Sequence, residues 1–253
     1  MLSIEVKARV MIATLSRPPV NALNDKLIEG LDQAIDRASA DEAISVLHIR
    51  SDQKVFSAGA DLALMQSCFA TPEGPDAMIA VVRRMQALFA RIESAPLVTF
   101  AEISGTAVGG GLELALACDL RIAAAETKLG LTEARLGLLP GAGGTQRLAR
   151  LCGRGLANRL ILGGEIITGT EAFGFGIVQW ACSRAQLADR AQELVAHYAS
   201  IPRAALAEIK ACLASADDCG RDGYEAEISG TRRLYDNPES RRRIRDFLTK
   251  TAA

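Results

Sequence analysis

The spacing of apolar residues changes repeatedly along the chain. Residues 6–15 mix alternation with β-branched side chains, and 44–49 are a short apolar run closed by Arg50 and Ser51, so both stretches predict strands. Between them Leu27, Ile28, Leu31, Ala34 and Ile35 recur at helical spacing behind Asn24 and Asp25, residues suited to capping a helix. Strand, helix, strand is the signature of a largely parallel sheet covered by helices. A loop of small residues at 56–61 follows, then a linker with Pro72, Gly74 and Pro75, then a predicted helix over about 76–93.

After Pro96 the pattern predicts a buried strand at 97–103. Gly109-Gly110-Gly111 then opens the apolar helical run 112–118. Strand character returns at 120–125 and, as a short edge piece, at 128–131. The glycine-rich stretch 140–145 turns into a helix near 146–151, and the runs 157–162, 185–200 and 204–214 predict a mainly helical final third. The best boundary lies near 190–200, between a β/α core and a helical appendage.

Composition narrows the chemistry. The 253 residues carry 29 Lys+Arg against 30 Asp+Glu, a formal net charge of -1, which offers no overall field to a polyanion and argues against a dedicated nucleic-acid or membrane-surface binder. A compact monomer of 26.8 kDa would expose roughly 11,000 Å². With only two histidines, His48 and His197, acid-base work is expected to fall to carboxylates, and no metal site is expected. The six cysteines form no CxxC pair, the start has no signal-peptide pattern and no 18-residue apolar run occurs, so a cytoplasmic setting is the default expectation.

Two features could carry chemistry. Glycines directly before a helix let a ligand approach unpaired N–H groups at the positive end of the helix dipole, a place for an anion or oxyanion. Close helix-strand packing explains the same glycines equally well. Glu113 interrupts an apolar run just inside that helix, and Glu133 precedes the glycine-rich segment 137–144. Partial burial would raise either carboxyl toward neutrality, the range of a general acid or base. The plainer readings are a helix-end carboxylate and a loop charge.

Several strings together resemble one family. They are Gly105-Thr106-Ala107-Val108-Gly109-Gly110-Gly111-Leu112-Glu113, Leu129-Gly130-Leu131-Thr132-Glu133 and Leu139-Pro140-Gly141-Ala142-Gly143-Gly144-Thr145. Upstream, Arg17-Pro18-Pro19-Val20-Asn21-Ala22-Leu23-Asn24 and Phe56-Ser57-Ala58-Gly59-Ala60-Asp61-Leu62 fit the same pattern, and downstream so do Thr170-Glu171-Ala172 and Asp246-Phe247-Leu248-Thr249-Lys250. In this order they resemble the crotonase superfamily, and within it the enoyl-CoA hydratases.

The resemblance implies an α/β fold: a crotonase-like spiral of ββα units over 1–195 holding the CoA thioester site, and a helical C-terminal trimerisation region over 196–253. It implies an acyl-CoA thioester substrate, a homotrimer or dimer of trimers, and no separate cofactor, since coenzyme A belongs to the substrate. The backbone N–H groups of Ala60 and Gly110 would form the oxyanion hole, Glu113 would activate water and Glu133 would protonate the α-carbon. Contacts to CoA would involve Ala58, Ala60, Asp61 and Leu62, with Phe247 and Lys250 reaching a neighbouring subunit's ligand. Ala63 stands where relatives often carry lysine. Thr132 before Glu133 resembles the methylglutaconyl-CoA hydratases, while an isomerase, another crotonase reaction, or a non-catalytic CoA- or RNA-binding relative are the alternatives. Acyl selectivity is expected from segments 63–75 and 88–97.

Overall fold

The computed structural model describes residues 1–216, 218 and 220–251, without the side chains of Leu62, Phe69 and Thr251. A hairpin starts the chain: β1 (Leu2–Lys7) and β2 (Val10–Leu15) pair antiparallel, Leu2 opposite Leu15 and Lys7 opposite Val10. The single strand expected at 6–15 is thus two, reversed at Ala8, whose φ is 50°. No Gly, Asn or Asp marks this turn, so the hydrophobic pattern runs through it unbroken.

α1 (Asp25–Ala40) begins where its cap predicts, the Asn24 side chain accepting the Leu27 N–H, and it buries the Leu27, Ile28, Leu31, Ala34, Ile35 and Ala38 stripe. β3 (Val46–Ser51) then runs parallel to β2. β4 (Val55–Ser57) leads to α2 (Leu62–Phe69), and α3 (Gly74–Ser94) starts directly at the expected linker, with Pro75 in its first turn, where a missing N–H costs nothing. β5 (Val98–Ile103), β6 (Thr106–Val108) and α4 (Gly110–Ala117) make the next unit. β7 (Leu120–Ala124), β8 (Lys128–Gly130), a 3₁₀ turn (Glu133–Leu136) and α5 (Gly144–Leu162) make another. α5 joins two of the expected helical runs across a kink at Gly153, with φ 78° and ψ 155°.

These repeats build a spiral. In each, a first strand enters one sheet, a second strand enters another, and a helix follows. The first sheet has order β1-β2-β3-β5-β7-β10 and is parallel beyond its hairpin; β10 is Trp180–Cys182. The second has order β4-β6-β8-β9, where β9 (Ile166–Thr168) pairs antiparallel with β8. Its three-residue strands are too short to show a period in sequence. Between β9 and β10 lies α6 (Gly169–Gly174), closed by a Thr168–Glu171 capping box. The ββα architecture expected from the resemblance is the one found.

α7 (Arg184–Ala199) covers the first sheet with Leu187, Ala191, Leu194 and Val195. α8 (Arg203–Ser215) is anchored to the core: Arg203 donates to the carbonyls of Ala38, Ser39, Asp41, Ile44 and Pro96, and Lys210 bridges Leu97 O and the Asp119 carboxylate at 2.8 and 2.7 Å. α9 (Gly223–Asp236) buries only Gly230, and α10 (Pro238–Thr251) follows it with Phe247 and Leu248 exposed. The chain exposes 13,182 Å², above the compact-monomer expectation, consistent with helices that lie outside its core. Among the described residues no helix is long and apolar enough to cross a membrane.

Candidate active site

α4 has all eight residues buried, Glu113 included at 2 % exposure. The buried guanidinium of Arg121 closes its C-terminal end by donating to the carbonyls of Ala115, Cys118, Asp119 and Ile177. At the other end the triple glycine divides its work. A Cβ on Gly111 would lie 2.3 Å from Ser57 O, so Gly111 serves helix-strand packing. Gly110 is the first residue of α4, where N–H groups have no intrahelical partner. The packing reading thus holds at Gly111, while Gly110 has the helix-end position that the other reading requires.

A second loop meets Gly110. Gly59 has φ 87°, and a Cβ there would stand 3.1 Å from Gly110 N and 3.0 Å from Val108 O. Only glycine allows this approach. The loop is braced by the segment singled out around Arg17: Ala58 N donates to Val20 O at 3.0 Å, Leu23 N donates to Gly59 O at 2.8 Å, and Leu23 bridges Ala60. The Asn21 side chain donates to Phe56 O and Ser51 Oγ. Asp61 caps α2 by accepting the N–H groups of Ala63 and Leu64, and it pairs with Arg17. Its carboxylate is committed to holding the loop.

Glu113 lies one turn into α4, and its Oε1 accepts the Gly144 N–H at 2.8 Å, an unpaired amide at the start of α5. Burial pushes its carboxyl up to about 7; the Gly144 hydrogen bond opposes that shift, and the Glu133 charge adds to it. Glu133 opens the 3₁₀ turn, with Oε1 3.1 Å from where a Gly109 Cβ would be. Its Oε2 is buried without a protein hydrogen-bond partner, and burial raises this carboxyl also. Leaving such an oxygen unmatched costs on the order of 1–3 kcal/mol, which is tolerable where a ligand is to supply the partner.

Ala58, Ala60, Gly110, Glu113 and Glu133 line one cavity of about 180 Å³. Among the other expected site residues, Asp61 is not in its lining, and the Leu62 side chain lies outside the described residues. Phe247 and Lys250 are on α10, away from this cavity within the chain. The apolar walls of the cavity come from Met65, Met78, Val82, Met85 and three leucines at 136, 138 and 139. Segment 63–75 thus contributes Met65, while 88–97 contributes nothing; α3 faces the cavity one and more turns earlier than expected. Sequence reasoning missed Gly144 as the Glu113 partner, although its glycine-rich setting had been visible.

An unpaired helix-end amide beside two carboxyls raised toward neutrality is suited to developing negative charge on a carbonyl oxygen while protons move nearby. Relatives agree in kind. The enoyl-CoA hydratase/isomerase family model matches residues 5–252. A probable enoyl-CoA hydratase of Bacillus subtilis is 36% identical over 251 residues, 98% of this chain and 96% of the relative. The 2,3-dehydroadipyl-CoA hydratase of Escherichia coli is 38% identical over 178 residues, 70% of this chain and 67% of the relative. Among solved structures, an enoyl-CoA hydratase of Bacillus anthracis superposes with a TM-score of 0.91 at 30% identity, covering 98% of this chain and 96% of that one. The chain is an enzyme of the crotonase superfamily and belongs to its enoyl-CoA hydratase/isomerase family.

Proposed function

We propose that the protein adds water to 2-enoyl-CoA thioesters, giving 3-hydroxyacyl-CoA. The observation that carries this reading is the pair Glu113 and Glu133 on one cavity with Gly110, both carboxyls raised by burial. Hydration needs a base and an acid near neutral pH, and burial supplies both in one site.

Glu113, in its ionised form, takes a proton from water as the water oxygen bonds to the β-carbon. The C=C electron pair moves toward the α-carbon and the thioester carbonyl, and the oxygen gains negative charge. The N–H groups of Gly110 and Ala60 receive that charge; one such donor contributes roughly 3 to 4 kcal/mol. Glu133, in its protonated form, gives its proton to the α-carbon, and the carbonyl re-forms. Proton exchange between the two carboxyls and solvent restores the starting state. Double-bond migration needs only one group to carry a proton between carbons, so the presence of both glutamates favours hydration.

CoA is held mainly by the backbone at Ala58 and Ala60, with Phe247 and Lys250 supplied by a neighbouring copy in a trimer or a dimer of trimers. No separate cofactor takes part. The reaction belongs to acyl-chain degradation in the cytoplasm. The test follows loss of conjugated-enoyl absorbance with crotonyl-CoA. Glu113→Gln and Glu133→Gln should each lower turnover at least about a hundredfold; normal turnover in both would refute the two-carboxylate reaction.

A further inference from the structure

Among the described residues, the cavity wall beyond the glutamates holds no Lys, Arg or His. It is made by Met65 of α2, Met78, Val82 and Met85 of α3, and the leucines that flank Gly137. Leu136, Leu138 and Leu139 are 69 %, 44 % and 69 % exposed while lining it. Three large apolar side chains left in solvent together around a cavity mark a place where an apolar ligand group belongs.

Two arginines outside this wall are committed elsewhere. Arg147 donates to both Glu93 and Ala142 O, and Arg84 pairs with Asp25. The stem of Arg135 lies against Gly164. The charge this site holds in its reacting form is negative, from the ionised Glu113. A carboxylate carried into such a wall would lose water without gaining a partner, and it would face like charge.

We propose that Met65, Met78, Val82 and the rim of Leu136, Leu138 and Leu139 receive the acyl end of the thioester, and that this cation-free wall selects uncharged chains over chains ending in a carboxylate. This rests on the hydratase reading and adds a substrate class to it. It sets the chain apart from a preference for methylglutaconyl or dehydroadipyl thioesters, both of which carry a free carboxylate at the acyl end.

The decisive comparison uses 2-hexenoyl-CoA and 2,3-dehydroadipyl-CoA, six-carbon enoyl thioesters that differ by the terminal carboxylate. kcat/KM should favour hexenoyl-CoA at least about a hundredfold. Leu138→Lys, at a solvent-exposed rim position, should narrow that ratio at least tenfold by improving the diacid thioester. A wild-type ratio near one, a preference for the diacid, or an unchanged ratio in the variant overturns the selectivity. Hydration of neither thioester would instead overturn the hydratase reading; the same ratio measured calorimetrically as Kd would then decide the selectivity by itself.

Discussion

Around α4 the chain buries everything: eight consecutive residues, a glutamate, and an arginine that closes the helix end. In α9 only Gly230 is buried, and the tail shows Tyr224, Ile228, Tyr235, Phe247 and Leu248 to solvent. The first region is held together within one chain by the close approach of Gly59 to Gly110 and by the Gly144 N–H donated to the Glu113 carboxylate. The second carries apolar side chains whose surface suits cover by another protein surface. A buried site and an exposed apolar helix face therefore place different demands on the same sequence. One needs small residues at fixed places; the other needs only enough apolar area on a helix face.

The contrast breaks most sharply at Gly110. Gly110→Pro deletes the helix-end N–H at a position where proline suits the helix, and turnover should fall by about a thousandfold with the far-UV spectrum unchanged. Retained turnover would remove this amide from the site.

Glu113 shows what burial costs the candidate site. Its folded-state pKa of about 7 lies above the ordinary 4.5, so the folded protein holds the proton more tightly, and stability falls as pH rises between those values. The penalty is complete above pH 7 and absent below about 4.5. Glu113→Gln should therefore stabilise the fold by roughly 3 kcal/mol at pH 8 and hardly at all at pH 4.5, measured by urea unfolding. In the natural protein kcat/KM should rise through pH 7 as this base ionises. A gain in stability equal at both pH values would contradict that assignment.

The smallest effect belongs to the tail. Phe247→Ala, at a 68 % exposed side chain, should change unfolding stability by less than about 0.5 kcal/mol in dilute protein. The loss should grow as protein concentration rises, because cover by another copy depends on mass action. An effect that is large and independent of concentration would place Phe247 in the chain's own core.

Much of this was legible in the sequence where one local rule acted alone. The α1 stripe, its Asn24 cap, and Glu113 standing within an apolar run all kept the meaning their spacing suggested. Legibility failed where a tertiary contact decided the outcome. The turn at Ala8 lacks turn residues, and Gly153 kinks α5 without ending it. The short strands β4, β6 and β9 depend on each other's pairing through the second sheet. The apolar cavity wall escaped for the same reason. Met78 and Leu138 come together only after β5 to β8 have been wound between them.

Lys210 and Arg203 decide where this protein can be divided. Their cationic groups satisfy carbonyls at the end of α1 and before β5, together with the Asp119 carboxylate just beyond α4. A cut near residue 195 would strand those acceptors, whereas the stretch after Ser215 is tied back by exposed contacts, the Arg233 pair with Glu208 of α8 and the Arg243 donation to Ser200 O. A shuffled or grafted version of this fold should therefore be spliced after α8, which keeps the clamp with the sheets it holds and gives up the Arg233–Glu208 pair and the Arg243 contact.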